Sequence, residues 1–253
     1  MATTAPKTHF TKPVSRRAGR WFFVGMALAM IVLSIAGFLP AIIDPATRRA
    51  PLTPLTEAHG IVFLMWLLLY LAQSLLIANR RVDLHRRLGL TSVLLLALMI
   101  PLGFTTTTAM IRRGFDLSGD QHVRTSQDAV NASVFNFAAL LTFIILAVVA
   151  IGYRRRPGVH KRLMLFANIS LMVAPIAHLG GHIAPSPAAY LAMYTILYTL
   201  FLLAPVAFDH LTEKRVRFLT TGMAIGLFAS QFVQAFVIVP SAAWHRFAVW
   251  LSQ

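Results

Sequence analysis

Imidazole is the side chain on which any reaction chemistry in this chain has to rest. There are nine histidines and no cysteine, so disulfides, thiolate nucleophiles, iron–sulfur clusters and Cys-ligated zinc are excluded by inventory. A metal would need His, carboxylate or Met. His178 and His182 are four residues apart and project from the same face of a helix. His59 falls at a matching depth on a separate apolar segment. Neutral imidazoles suit zinc, copper or iron, which makes His59, His178 and His182 the candidate cofactor-binding and metal-ligating set. Ligands on one helix face approach from one side, so a b-type haem would take His59 and one of the other two. The competing reading puts His59 and His182 in the headgroup zone, with Gly180–Gly181 ending the helix before His182.

Other polar groups are weaker candidates. Glu57, two residues before His59, is either a general base or an exposed loop acid. His85 lies 26 residues after His59, about 39 Å of straight helix, and so beyond the hydrocarbon core. It shares that level with His160 and His210, and His85 with His160 is a lesser site for a second haem. Thr105 to Thr108, Asn136, Gln231 and Gln234 fall in the outer halves of their segments. Tyr190, Tyr194 and Tyr198 repeat at helical spacing and line either a pocket or a packing seam. Nucleotide-binding, H-E-x-x-H and G-x-S-x-G patterns are missing. A retinal Schiff base is excluded because the seventh segment has no Lys. The segments are read as free of Asp and Glu, which argues against a carboxylate-driven transporter.

The elements that must position these residues are seven stretches, near 21–41, 58–79, 89–111, 132–153, 163–183, 188–209 and 218–240. Each matches the roughly 20 apolar residues that cross a hydrocarbon layer as a helix. Continuous apolarity over that length excludes barrel strands. The expected fold is all-α, a polytopic bundle of seven transmembrane helices. It comprises a basic tail over 1–20, one membrane domain over 21–240 and an interfacial tail over 241–253. With 57% hydrophobic residues, no length remains for a soluble domain. Pro101, Pro175 and Pro205 lie within spans and should kink them.

A net charge of +15 would suggest nucleic acid in a soluble protein; here it reads as topology. Seventeen of the 23 basic residues fall in the N-terminal tail (including Arg16, Arg17 and Arg20) and in three alternate linkers. Those linkers hold Arg80, Arg81, Arg86 and Arg87; Arg154 to Arg156, Lys161 and Arg162; and Lys214, Arg215 and Arg217. The positive-inside bias places the N-terminus in the cytoplasm and the C-terminus outside, in the periplasm of a bacterial inner membrane. Membrane lipids are then the expected partners of the basic linkers, with a membrane protein as a further candidate partner and nucleic acid excluded. Arg16–Arg17 is read as an orientation signal rather than a twin-arginine signal, and the first segment as a retained helix. Trp21, Trp244 and Trp250 fit an interfacial aromatic belt. The longest outer loop, 112–131, carries Asp116, Asp120, His122 and Asp128.

RRVDLHRRLG at 80–89 and RRRPGVHKRLM at 154–164 echo one another, which suggests two hairpins related by duplication. The segments AHGIVFLMWLLLYLAQSLLIANRRVDLHRRLG (58–89) and HKRLMLFANISLMVAPIAHL (160–179) resemble those of uncharacterised bacterial multi-pass membrane proteins. The H-[KR]-R-L-M helix start is similar to small His-containing proteins of haem–copper oxidase maturation, and more loosely to b-type cytochromes. The common depth of His59, His178 and His182 leads to the expectation of a bacterial inner-membrane protein holding a metal or b-type haem near its outer face, acting in electron transfer or respiratory-complex maturation. Two alternatives stand beside it: a non-catalytic subunit or scaffold binding a lipid or protein, and an intramembrane metal-dependent lipid hydrolase assisted by Glu57.

Overall fold

Each polar linker closes one helix and opens the next. A computed structural model describes residues 16–118, 123–213 and 217–253. The tail before Arg16, Asp120 and His122 of the long loop, and Lys214 and Arg215 lie outside the described residues. Helix α1 covers Arg16–Ile43, α2 Pro54–Ala78, α3 Val82–Arg113 and α4 Ser126–Gly152. Then follow α5 (Pro157–Ser170), α6 (Val173–Ile183), α7 (Pro187–Glu213), α8 (Phe218–Val233) and α9 (Ala242–Ser252).

Local chemistry accounts for the boundaries. Thr53 caps α2 through the Thr56 N–H, with Pro54 at the first position, where its missing donor costs nothing. Thr125 and Asp128 form a reciprocal capping box on α4. Gly114 closes α3 in the left-handed region, with φ of 76°. Seven helical segments are long and apolar enough to cross a membrane, and no strand occurs among the described residues. The chain is a polytopic all-α membrane protein.

The fifth span, formed by α5 and α6, is the axis of the bundle. In its most apolar stretch 72% of residues are buried, against 44% or less in every other span. Its regular α-helical bonding lapses at Leu171 and Met172, whose backbones stay right-handed helical. Pro175 has no N–H to offer the Leu171 carbonyl and its ring crowds that turn, so α5 ends at Ser170 and α6 restarts at Val173. Helices α3 and α7 run continuously through Pro101 and Pro205. Gly37 lets α1 come close to the break: a Cβ there would lie 2.5 Å from the Pro175 carbonyl oxygen. The seventh span passes from α8 into a π-helical turn over Gln234–Ile238.

Charge and polarity enter this core at two places that the span reading leaves out. Asp209 lies inside α7, which extends to Glu213, and is buried. It accepts from Arg162 Nε of α5 at 2.8 Å and from Arg162 Nη2, and Thr220 Oγ1 of α8 donates to it at 2.5 Å. A span free of carboxylate is therefore corrected: Asp209 is the last residue of the 188–209 stretch and is buried within the helix. Near mid-bundle, Trp66 Nε1 of α2 donates to Asn168 Oδ1 of α5 at 3.0 Å, and Asn168 Nδ2 donates to Met164 O at 2.7 Å.

Candidate functional site

The end of the bundle away from the basic linkers gathers the polar side chains that could do chemistry. His59 is in the second turn of α2 and His178 in the second turn of α6. Two loops cover them. The α1–α2 linker is tied to the α3–α4 linker by Arg49 N–H to the Leu117 carbonyl at 3.0 Å. Beyond Gly114 the chain turns sharply, and Asp116 Oδ1 accepts from the backbone N–H of Ser118 at 2.8 Å and from its hydroxyl. That clamp delivers Ser118 Oγ to His178 Nδ1, 3.2 Å away, both side chains being buried.

The direction of this relay follows from proton inventory. With the Ser118 hydroxyl proton directed at Asp116, His178 in its Nδ1–H tautomer donates to Ser118 Oγ. The lone pair then resides on His178 Nε2, the tautomer that ligates a metal or accepts a proton. Phe38 of α1 packs on the His178 ring at 4.4 Å between centroids, and Phe63 stacks on His59 at 4.1 Å. The two imidazoles lie within electrostatic reach of one another. His59 Nδ1 is buried and makes no hydrogen bond of accepted geometry, although the Leu102 carbonyl of α3 is close by.

His182 sits where helical spacing puts it, because α6 continues through Gly180 and Gly181 to Ile183. Gly180 has a different role: a Cβ there would lie 2.7 Å from the Tyr190 ring, so it admits α7 against α6. Among the described residues, no three His, Asp or Glu side chains are grouped closely enough to hold a metal ion. A cage of His59, His178 and His182 is thus not shown. Glu57 is exposed, and two residues from His59 it faces the other side of the helix, which removes it as a base for that imidazole.

The remaining candidates have plainer surroundings. Thr105, Thr107 and Thr108 donate to carbonyls one turn back in α3. Tyr190, Tyr194 and Tyr198 form a stacked row along α7 at 6.5 and 6.0 Å between centroids, and Tyr194 Oη donates to Gln231 Oε1 at 2.9 Å. This is a packing seam with one cross-helix bond. At the basic end, His85 and His160 each occupy the fourth residue of their helices. Their rings meet nearly perpendicularly at 6.4 Å, and His160 Nδ1 bonds the Ala150 carbonyl at 2.8 Å.

Sequence reasoning missed Ser118, the Asp116 clamp, Phe38 and the Arg162–Asp209–Thr220 cluster. A signal existed for Asp116 and Ser118, since D-x-S is a common side-chain-to-backbone turn. None existed for Phe38, one aromatic among 18 phenylalanines. No family model, no curated protein and no solved structure matches the chain.

Proposed function

We propose that this protein is an electron-transfer or respiratory-complex maturation protein of the bacterial inner membrane, holding a b-type haem between His59 and His178 near the outer face. The observation that carries it is the Asp116–Ser118–His178 chain, which orients one buried imidazole through its Nδ1. His59, whose buried Nδ1 lies beside the Leu102 carbonyl, would supply the second ligand from a different helix. His59 and His178 would hold the haem iron through their imidazole nitrogens. The porphyrin would supply one-electron chemistry; the protein's part is to fix imidazole tautomers and exclude water.

The experiment is an oxidised and a dithionite-reduced absorption spectrum of the detergent-extracted protein and of the His59→Ala, His178→Ala and His182→Ala variants. The reading expects a Soret band that is lost in the first two variants and retained in the third. A spectrum without a Soret band, accompanied by stoichiometric copper or zinc, replaces haem by an ion at the same pair.

A second reading, a non-catalytic membrane scaffold, is favoured by the buried Arg162–Asp209–Thr220 cluster, which ties three helices together without presenting a reactive group. In that case His59→Ala and His178→Ala leave partner retention and function intact.

A further inference from the structure

At the basic end, the turn between α2 and α3 contains a residue that its own backbone does not favour. Helix α2 closes with both hydrogen bonds of a Schellman turn, Arg81 N–H to the Leu76 carbonyl at 2.7 Å and Arg80 N–H to the Ile77 carbonyl at 3.1 Å. That motif needs a left-handed residue just after the cap, and Arg80 fills it with φ of 62°. Glycine adopts this conformation without steric conflict, whereas a Cβ crowds the following carbonyl. Among the described residues the other positive φ belongs to Gly114. The chain therefore uses glycine where only the turn matters and accepts strain where it places an arginine.

Arg80 borders a shallow, open surface cavity of about 270 Å³ lined also by Arg20, Trp21, Ala78 and Asn79. Arg20 Nε donates to the Ala78 carbonyl at 3.3 Å, which holds its guanidinium at the rim. Asn79 Nδ2 is committed to the Leu75 carbonyl at 2.9 Å. Among the described residues the side-chain ion pair is Arg162 with Asp209, and it includes neither Arg20 nor Arg80. Trp21 is exposed, and the exposed Leu28, Val32 and Ile35 continue its face along α1.

We propose that this cavity binds the phosphate of an anionic phospholipid, clamped between the Arg20 and Arg80 guanidinium groups, with the acyl chains lying along the Trp21–Leu28–Val32–Ile35 face of α1. Paired guanidinium forks suit a phosphate oxygen pair. Trp21 sets the depth at the membrane interface, where lipid phosphates reside. The apolar face beyond it selects a lipid over a soluble phosphate.

The test is native mass spectrometry of the full chain in a neutral detergent, titrated with phosphatidylglycerol and with phosphatidylcholine. Phosphatidylglycerol should be retained in preference to phosphatidylcholine, and Arg20→Gln or Arg80→Gly should each weaken it about fivefold to tenfold. Arg80→Gly relieves the left-handed strain, so its melting temperature should stay level or rise while the lipid is lost. Arg155→Gln, which removes the same charge elsewhere on the basic end, should leave retention unchanged. Equal retention of the two lipids, an Arg80→Gly variant that binds like the parent, an equal loss with Arg155→Gln, or displacement of the lipid by millimolar inorganic phosphate overturns the assignment.

Discussion

At the scale of single residues, the decisive atom is Ser118 Oγ, placed between Asp116 and His178. Groups that orient a metal-ligating His are worth about 10–100-fold in affinity. Ser118→Ala should therefore weaken haem or metal retention by that order without unfolding the protein, as read by dialysis against a chelator or apomyoglobin. Asp116→Asn removes the charged acceptor, frees the Ser118 hydroxyl to turn toward His178 and should act in the same direction. The imidazoles themselves were legible in the sequence because histidine is rare inside apolar runs. The relay was not, since it joins residues 60 positions apart through a loop, and no local pattern specifies which loop atom meets a helix 60 residues away.

At the scale of helices, the Arg162–Asp209–Thr220 cluster joins α5, α7 and α8. Removing one member of a buried ion pair costs about 3–5 kcal/mol, whereas replacing both by apolar residues is often neutral. Asp209→Ala should thus lower the unfolding midpoint in detergent sharply, and Arg162→Met with Asp209→Leu should restore most of it. Gly37 predicts a second effect. A Cβ directed at the Pro175 backbone oxygen has nothing flexible to displace, so Gly37→Val should push α1 from α6 and cost about 1–3 kcal/mol in the same assay. The seven spans were legible because a run of apolar residues is a local property. Asp209 and the α5–α6 break were not. A carboxylate four residues before a helix end resembles an interfacial residue until its partner on another helix is known. Pro175 signals a distortion but not whether the turn bends or restarts. The three prolines thus have two outcomes, which depend on packing that no single span contains.

At the scale of the whole molecule, the basic linkers share one end of the bundle and the His59–His178 pair occupies the other. The positive-inside bias predicts that an impermeant maleimide labels Ser252→Cys in intact cells and Arg155→Cys only after lysis; the cysteine-free chain leaves no background. The opposite pattern inverts the proposed topology. The charge asymmetry between the two ends was legible in the linkers. The candidate site was legible only as a list of imidazoles, because their relative placement is decided by how α2 and α6 each pack on α1. The most direct measurement is the iron, copper and zinc content per chain of the protein purified from its own membranes. The account predicts about one iron per chain, carried as haem and lost with His178→Ala; a preparation free of all three metals contradicts it.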